Sequence, residues 1–389
     1  MNYAITLLIA LIVAFIATPL VNKLAFRLGA TGLPKDSRSK LNKPIALIGG
    51  LAIIAGFLVA LLYNIVSGDI MPDRSVFGML AGIAVILFYG YLDDRYTLSW
   101  KFKAAFQFLA AITYILISDQ QIDFLTNPFM PGEVIDFAPY VAWPLTILWI
   151  MGITNAINFI DGLDGLAAGV SGISALSLFF VSVISIGEMD SMTAPFLMAA
   201  LAGAALGFLP FNFNPAKIFM GETGAAFLGF TLAVVSVQGM LKSYAMISLA
   251  IPVLIIGLPI FDVAFAIVRR IAKKASPAAR DTSHLHHKLI SMGLTQKQSV
   301  LLLYTASAVL GLCGFIFANK NYISAAVLLI LLPIFVFAFA KYLIGDNAEK
   351  QAGGGGSGGP EIEFGAPGGD AAEKKTAAPM SGVPEGRKA

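Results

Sequence analysis

The sequence predicts an all-α, polytopic integral membrane protein. Three observations lead there. Hydrophobic residues make up 57% of the 389 and charged residues only 13%, more apolar surface than a water-soluble domain of this length hides. Apolar runs of about 17 to 25 residues, the length that crosses a bilayer as helix, recur along the chain. The polar gaps between them are mostly short. In lipid a backbone must satisfy its own hydrogen bonds, which selects helices over isolated strands.

Eleven spans are expected, near residues 4–21, 45–66, 75–92, 103–118, 140–157, 166–187, 193–209, 224–241, 244–268, 300–317 and 322–344. The first, MNYAITLLIALIVAFIATPL, has no Lys or Arg ahead of its apolar core, and its basic residues follow it. That is the pattern of a retained helix with its N-terminus outside. Orientation follows from the basic residues of the gaps. One side carries 17 Lys and Arg, with six in 22–44 and seven in 269–299. The other side carries only Arg74, Lys242 and Lys320, beside acids such as Asp69, Asp123 and Glu188. The positive-inside rule puts the basic gaps and the C-terminus in the cytoplasm.

Topology thus accounts for the basic residues, and the net charge of +3 gives no reason to expect a nucleic-acid partner. Cys313 is the one cysteine and lies in an apolar span, which excludes a disulfide framework or a thiolate metal site. From about Gly353 the composition shifts to Gly, Pro and Ala, too poor in apolar side chains to bury a core. The expected organisation is a transmembrane domain over 1–345 and a disordered cytoplasmic tail over 346–389.

Five stretches break the apolar pattern, and all fall on the expected cytoplasmic side. YLDDRYTLSWKFK puts Asp93 and Asp94 at the end of the third span. A carboxylate at mid-helix in a membrane costs roughly 2.5–3.5 kcal/mol, and less at the interface. Two adjacent ones cost more unless a cation or proton is shared. A solvated helix end neutralised by Arg95 is the plainer explanation. NAINFIDGLDGLAAG carries Asn155, Asn158, Asp161 and Asp164, which share one face if the segment is helical. Carboxamides and carboxylates on one stripe suit a divalent cation or a phosphate-bearing ligand; a polar helix seam would more often use Ser or Thr.

FNFNPAKIFMGETG sets Asn212, Asn214, Lys217 and Glu222 among aromatics. Lys217 is the only base of its gap and fits a phosphate contact; a plain loop is the alternative. RDTSHLHHKL holds every histidine of the chain, His284, His286 and His287, beside Arg280. Adjacent histidines face apart in regular structure and no cysteine is near, which weighs against zinc. Imidazoles flanked by cations more naturally receive phosphate oxygens, and the loop reads as a lid for an anionic substrate. The fifth stretch, NKPIALIGG, reads as a helix start with small residues for packing.

Together these stretches resemble the bacterial polyprenyl-phosphate N-acetylhexosamine-1-phosphate transferases, over roughly residues 1–345. NAINFIDGLDGLAAG, FNFNPAKIFMG and HLHHKLISMGL in that order carry the likeness. The nearest subgroup is the enzymes that initiate teichoic acid, O-antigen and related glycopolymers. The phospho-MurNAc-pentapeptide transferases are more distant. The resemblance implies transfer of a sugar 1-phosphate, GlcNAc-1-phosphate above others, from a UDP-N-acetylhexosamine to undecaprenyl phosphate with release of UMP. It implies magnesium, with manganese as a substitute, and a bacterial plasma-membrane enzyme whose site faces the cytoplasm. A homodimer stays among the expected assemblies.

Residue roles follow from the same resemblance. Asp93 and Asp94 match an acidic pair that handles the lipid phosphate or its proton. Asp161 and Asp164 match acids of the nucleotide and metal region, so all four are expected to be catalytic. Asn158 and Glu222 match the magnesium neighbourhood. Asn155, Asn212, Asn214, Lys217, Arg280, His284, His286 and His287 are expected to bind substrate. The chain departs from the family pattern in three places. GETG stands where GDxG is usual, Leu41 where a histidine is usual and Ala46 where a second proline is usual. The extra methylene of Glu222 moves its oxygens outward by about 1.5 Å, and magnesium tolerates misplaced ligands poorly; on that ground Glu222→Asp is expected to raise turnover. Two other classes also suit the sequence: a secondary transporter, which has intramembrane acids and broken helices but binds near the midplane, and a lipid-binding scaffold.

Overall fold

The computed structural model describes residues 2–32, 44–126, 134–185, 193–240, 250–272 and 285–353. Arg280 and His284, and with them Leu41, lie outside the described residues. Thirteen α-helices are described. They are α1 (Tyr3–Leu28), α2 (Gly50–Val66), α3 (Arg74–Tyr96), α4 (Trp100–Ser118), α5 (Pro139–Ile160), α6 (Leu166–Ile184), α7 (Thr193–Asn212), α8 (Gly221–Val235), α9 (Ala250–Ile255), α10 (Gly257–Ala272), α11 (Leu285–Ser291), α12 (Gln296–Ala318) and α13 (Tyr322–Gly353). Among the described residues, β structure is one isolated parallel bridge between Ala46 and Ile218 and two short antiparallel pairs. One joins β1 (Thr31–Gly32) to β2 (Ile45–Ala46), the other β3 (Phe124–Thr126) to β4 (Val134–Asp136).

Eight of these helices are long and apolar enough to cross a membrane, and α2 is a shorter apolar helix of 17 residues. The chain is a polytopic helical membrane protein by that measure. Each expected span contains helix among its described residues, although 45–49 precedes α2, residues 186–187, 241 and 244–249 lie outside the described residues, and two spans are not single unbroken α-helices. The span expected at 224–241 is α8 followed by one π-helical stretch, Ser236–Met240. The span expected at 244–268 is divided at Ile256 into α9 and α10. Pro252 and Pro259 flank that break, and a proline removes a helix hydrogen bond.

Burial sorts the helices. Helix α8 is buried along nearly its whole length and α7 almost as fully, while α1 and α13 expose long rows of Ile, Leu and Phe. Apolar residues all round a helix mark either a buried helix or a membrane-facing one. Lipid offers no hydrophobic drive between helices, so close packing of small residues brings them together. Gly203 and Gly207 of α7 rest against the backbone of Leu7 and Leu11 of α1, with Ala10 and Ala14 alongside. Gly50 of α2 lies against Gly224 of α8, which lets the N-terminal turn of α8 sit at the centre of the bundle.

The compact unit covers Met1–Asn347, and a second unit begins at Ala348. Of that second unit only Ala348–Gly353 is described, as helix. Helix α13 therefore runs past the boundary expected at 345; Ala348 to Gln351 are good helix formers despite their polarity.

Candidate functional site: a carboxylate–lysine centre at the start of α8

Four helix ends meet in one place: the C-terminal ends of α3 and α5 and the N-terminal ends of α4 and α8. The first two groups there are the expected acidic pair, and their roles divide. Asp94 turns to the N-terminus of α8. Its Oδ1 accepts from the Glu222 N–H at 2.6 Å, and its Oδ2 accepts from the Thr223 N–H at 3.2 Å and the Thr223 hydroxyl at 2.6 Å. The first N–H groups of a helix have no partner within the helix, and a carboxylate there also meets the positive end of the dipole. Asp94 thus caps α8 from another helix. Gly221 makes that approach feasible. It has φ +71°, and a Cβ there would stand 2.6 Å from Asp94 Oδ1 and collide with the Leu47 carbonyl.

Asp93 turns the other way. Its Oδ1 accepts from the Leu98 N–H at 2.6 Å, and its Oδ2 pairs with Lys103 Nζ at 2.8 Å. The same ammonium lies 2.8 Å from Glu222 Oε2, which also accepts from Asn158 Nδ2 at 2.9 Å. Lys103 therefore bridges two carboxylates that are both only 9% exposed. Asn155, one helical turn before Asn158, donates to Gln107 Oε1 at 2.7 Å, and the amide of Gln107 reaches the Tyr89 hydroxyl at 3.3 Å.

The stripe expected from Asn155 to Asp164 is not one helical face. Helix α5 ends at Ile160, with Asp161 as its C-terminal cap, and Gly165 starts α6 at φ +82°. Glycines at 162 and 165 break the helix. The turn between them carries Asp164 away to a second cluster. Asp164 Oδ2 accepts from Asn214 Nδ2 and from the Ala216 N–H, each at 3.0 Å. Asn214 also donates to Gln296 Oε1 at 2.6 Å, and Asn212 donates to the Ile218 carbonyl at 2.9 Å. Lys217 is exposed at the edge of this loop. From there the chain runs along β2: Phe219 N–H donates to the Ala46 carbonyl and Gly49 N–H to the Phe219 carbonyl, both at 2.9 Å. NKPIALIGG reads as a helix start, but of its described residues Ile45–Ala46 form β2 and the helix begins only at Gly50; its small residues do pack, holding the segment that leads into Glu222.

The described histidines complete the arrangement. His286 is buried with its ring against Gly162, where no side chain would fit, and His287 is exposed with the two rings 4.3 Å apart. Helix α11, which carries both, is tied down by a residue of α10. Asp262 Oδ1 accepts from the Leu285 N–H at 2.8 Å. Asp262→Ala is expected to loosen that tie by about 0.5–2 kcal/mol, the value of a helix cap. Proteolysis near residue 285 should then accelerate, while Asp262→Asn, which keeps an acceptor oxygen, stays close to the parent. Equal cleavage of the alanine variant and the parent would contradict the tether.

Between α4 and α5 lies an apolar groove of about 710 Å³, lined by Phe108, Tyr140, Trp143, Ile147, Leu148 and Met151. The Met151 carbonyl accepts from Asn155 Nδ2 at 2.7 Å, so the groove's end adjoins the polar network.

Several of these residues were not singled out by sequence. Lys103 was visible only as one of the 17 basic residues that fix topology. Gln107, Thr223, Gln296 and Tyr304 are ordinary polar residues near helix ends; the Tyr304 hydroxyl holds the Gly165 carbonyl. Asp262 did give a signal, since it is the one acid inside an apolar run.

The groups around Lys103 are two hard carboxylates, Asp93 and Glu222, with the amide nitrogen of Asn158 donating to Glu222. That set fits magnesium, which takes one or two carboxylates and fills its remaining positions with water and phosphate. Among the described residues no three His, Cys, Asp or Glu side chains gather as a metal cage, so any such ion would depend on the substrate's oxygens.

A multi-pass helical bundle with a buried carboxylate–lysine centre at one end of its helices defines a class, a membrane protein with the polar apparatus of an enzyme. Residues 76–240 match the family described as Glycosyl transferase family 4. A protein of Bacillus subtilis (strain 168), named probable undecaprenyl-phosphate N-acetylglucosaminyl 1-phosphate transferase, is 39% identical over 344 residues, covering 88% of this chain and 91% of its own. The decaprenyl-phosphate N-acetylglucosaminephosphotransferase of Mycobacterium tuberculosis (strain ATCC 25618 / H37Rv) is 33% identical over 344 residues, covering 82% and 84%. The undecaprenyl-phosphate alpha-N-acetylglucosaminyl 1-phosphate transferase of Yersinia pestis is 28% identical over 331 residues, covering 82% and 85%. The chain belongs to glycosyl transferase family 4.

Proposed function

We propose that this protein transfers GlcNAc-1-phosphate from UDP-GlcNAc to undecaprenyl phosphate, releasing UMP, at the cytoplasmic face of a bacterial plasma membrane. One observation carries the reading. Carboxylates from α3 and α8, an ammonium from α4 and a carboxamide from α5 converge where four helix ends meet, and an apolar groove along α4 and α5 comes within about two helical turns of them at Met151. Phosphoryl transfer is mostly positioning and charge neutralisation of phosphates that repel each other. The relatives' names, which specify a polyprenyl phosphate and N-acetylglucosamine phosphate, agree with that chemistry.

The groove between α4 and α5 suits an isoprenoid chain, because it is apolar and ends at Asn155. Its phosphate would then meet Asp93 and Lys103. Asp93 is the acid placed to take or hold a proton of the acceptor phosphate, and Lys103 is placed to pair with phosphate oxygens. Asp94 contributes by fixing the start of α8, and so Glu222. Asp161 lies in the α5–α6 turn and the exposed His287 on α11, whose His286 packs on that turn at Gly162; the donor nucleotide would lie against these two elements. Asp164, Asn214 and Gln296 fix that turn against the loop ahead of α8. Magnesium, which Glu222 with Asn158 beside it would hold together with the substrate's oxygens, would neutralise the donor's diphosphate.

The wider topology belongs to the same proposal. Eleven crossings, an outside N-terminus and a cytoplasmic C-terminus bring every one of these helix ends to one face, since 17 basic residues share that side. Cytoplasmic placement is what a UDP-sugar donor requires. The whole reading is tested with purified protein in liposomes, with and without undecaprenyl phosphate. Acceptor-dependent UMP release from UDP-GlcNAc is expected. Absence of UMP release with every UDP-N-acetylhexosamine would contradict an enzyme and favour a transporter or lipid-binding scaffold.

A further inference from the structure

The ammonium of Lys103 occupies the place that a divalent cation would take. Its Nζ is 2.8 Å from Asp93 Oδ2 and 2.8 Å from Glu222 Oε2, and these carboxylates come from two different helices. Both are buried, and Asn158 supplies a third group to the same Glu222 oxygen. Two buried carboxylates that share one ammonium depend on that cation, because an unpaired buried charge is strongly destabilising. Magnesium bound by two carboxylates has the same requirement and answers it with two charges. The lysine and the metal are therefore competitors for one position.

The two differ in what else they can bind. Lysine is a compact point charge on a flexible four-carbon stem, and the Lys103 side chain is 27% exposed, the most accessible of the three charged groups. It has room to swing out towards an anion. A diphosphate is such an anion, and an ammonium binds phosphate well. Once Lys103 leaves, the buried carboxylates are unneutralised and demand a replacement cation.

We propose that Lys103 is an internal counter-ion that keeps the divalent metal out of the Asp93–Glu222 pocket until the donor's diphosphate draws it away. Metal binding is then coupled to nucleotide binding, and the coupling is reciprocal. The inference rests on the transferase reading for the metal and the diphosphate. It adds that Lys103 is a positioning residue which sets the order of binding. The arrangement would also prevent the free enzyme from holding a metal in a water-filled site.

The test measures Mn²⁺ binding, not turnover. Full-length protein in detergent is titrated with Mn²⁺, and the free ion is followed by its electron paramagnetic resonance signal. The parent is measured alone and with UDP in substoichiometric amount, and UDP alone serves as the control for nucleotide-bound Mn²⁺. Lys103→Met and Lys103→Arg are measured without UDP, and melting curves check that each is folded. Without UDP, Lys103→Met is expected to bind one Mn²⁺ about 5–150-fold more tightly than the parent, the usual range of such couplings. UDP should strengthen binding by the parent in the same range. Lys103→Arg keeps a cation in the pocket, and its Mn²⁺ affinity should be no higher than that of the parent. Adding Glu222→Gln to Lys103→Met should abolish the gain.

The proposal is overturned if the parent without UDP binds Mn²⁺ as tightly as Lys103→Met. It is also overturned if folded Lys103→Met binds none, or if Lys103→Arg binds as tightly as Lys103→Met. Should Lys103→Met fail to fold, the arginine variant and the UDP dependence of the parent decide alone. UMP release without the Mn²⁺ difference would sink the counter-ion and leave the transferase reading intact. The Mn²⁺ difference without UMP release would do the reverse.

Discussion

Asp94→Asn is expected to lower turnover by at least about 100-fold, the scale for losing a general base or a fixed electrostatic group. The reason lies in three donors that point at one carboxylate. Asp94 accepts from Glu222 N–H, Thr223 N–H and the Thr223 hydroxyl. An asparagine of the same shape brings an NH₂ group to face one of those donors, so at least one hydrogen bond is lost and a buried N–H is left unpaired. The start of α8 then shifts, and Glu222 shifts with it. A cap of this kind contributes about 0.5–2 kcal/mol, so the melting temperature should fall as well.

Asp93→Asn separates the two roles of the acidic pair. Its amide oxygen still accepts from the Leu98 N–H, so stability should change less than in Asp94→Asn, while turnover falls by a comparable factor. The measurement is UMP release beside a thermal melt for each variant. Parent-like turnover in Asp94→Asn would contradict its role as the anchor of α8. An equal loss of stability in both variants would contradict the division of labour.

The second large effect concerns Glu222. Read from sequence, glutamate where aspartate is usual suggests a misfitted ligand, and Glu222→Asp should then speed the enzyme. The packing argues the opposite. Glu222 lies in the first turn of α8 and reaches across to Lys103 of α4 and Asn158 of α5, at 2.8 and 2.9 Å from one oxygen. The extra methylene is used for that reach. Aspartate would withdraw the oxygens by about 1.5 Å and leave Lys103 paired with Asp93 alone. Displacement on the order of 1 Å at a reacting centre costs roughly 100-fold in rate. Glu222→Asp is therefore expected to slow UMP release by about that factor in magnesium, with a smaller loss in manganese. Faster turnover in magnesium would restore the misfitted-ligand account.

Much of this site was legible in the sequence, for definite reasons. Carboxylates and carboxamides are rare next to hydrocarbon, so Asp93, Asp94, Asn158 and Glu222 stood out against an apolar background, and the structure brings all four within one centre. The pairing partners were less legible. Lys103 looks like any of the basic residues that orient a membrane protein, and only the meeting of α4 with α3 and α8 singles it out. The stripe from Asn155 to Asp164 failed as a helix face because the glycines that flank Leu163 end α5. Spacing alone does not tell a helix from a turn that carries the same residues. The helical spans were largely readable from length and hydrophobicity; the break at Ile256 was not, because the apolar run continues through it, although Pro252 and Pro259 beside it are helix breakers.

The most direct measurement follows the phosphorus. UDP-GlcNAc labelled with ³²P in the β-phosphate, the one joined to the sugar, is incubated with the protein and undecaprenyl phosphate in liposomes, and lipid and aqueous phases are separated. The label should enter the lipid phase with one UMP released for each labelled lipid, and both products should fall together in Asp93→Asn. Label remaining in the aqueous phase as UDP, with GlcNAc on the lipid, would mean that the sugar moves without its phosphate. That result would contradict a centre built from Asp93, Lys103 and Glu222 to transfer a phosphosugar.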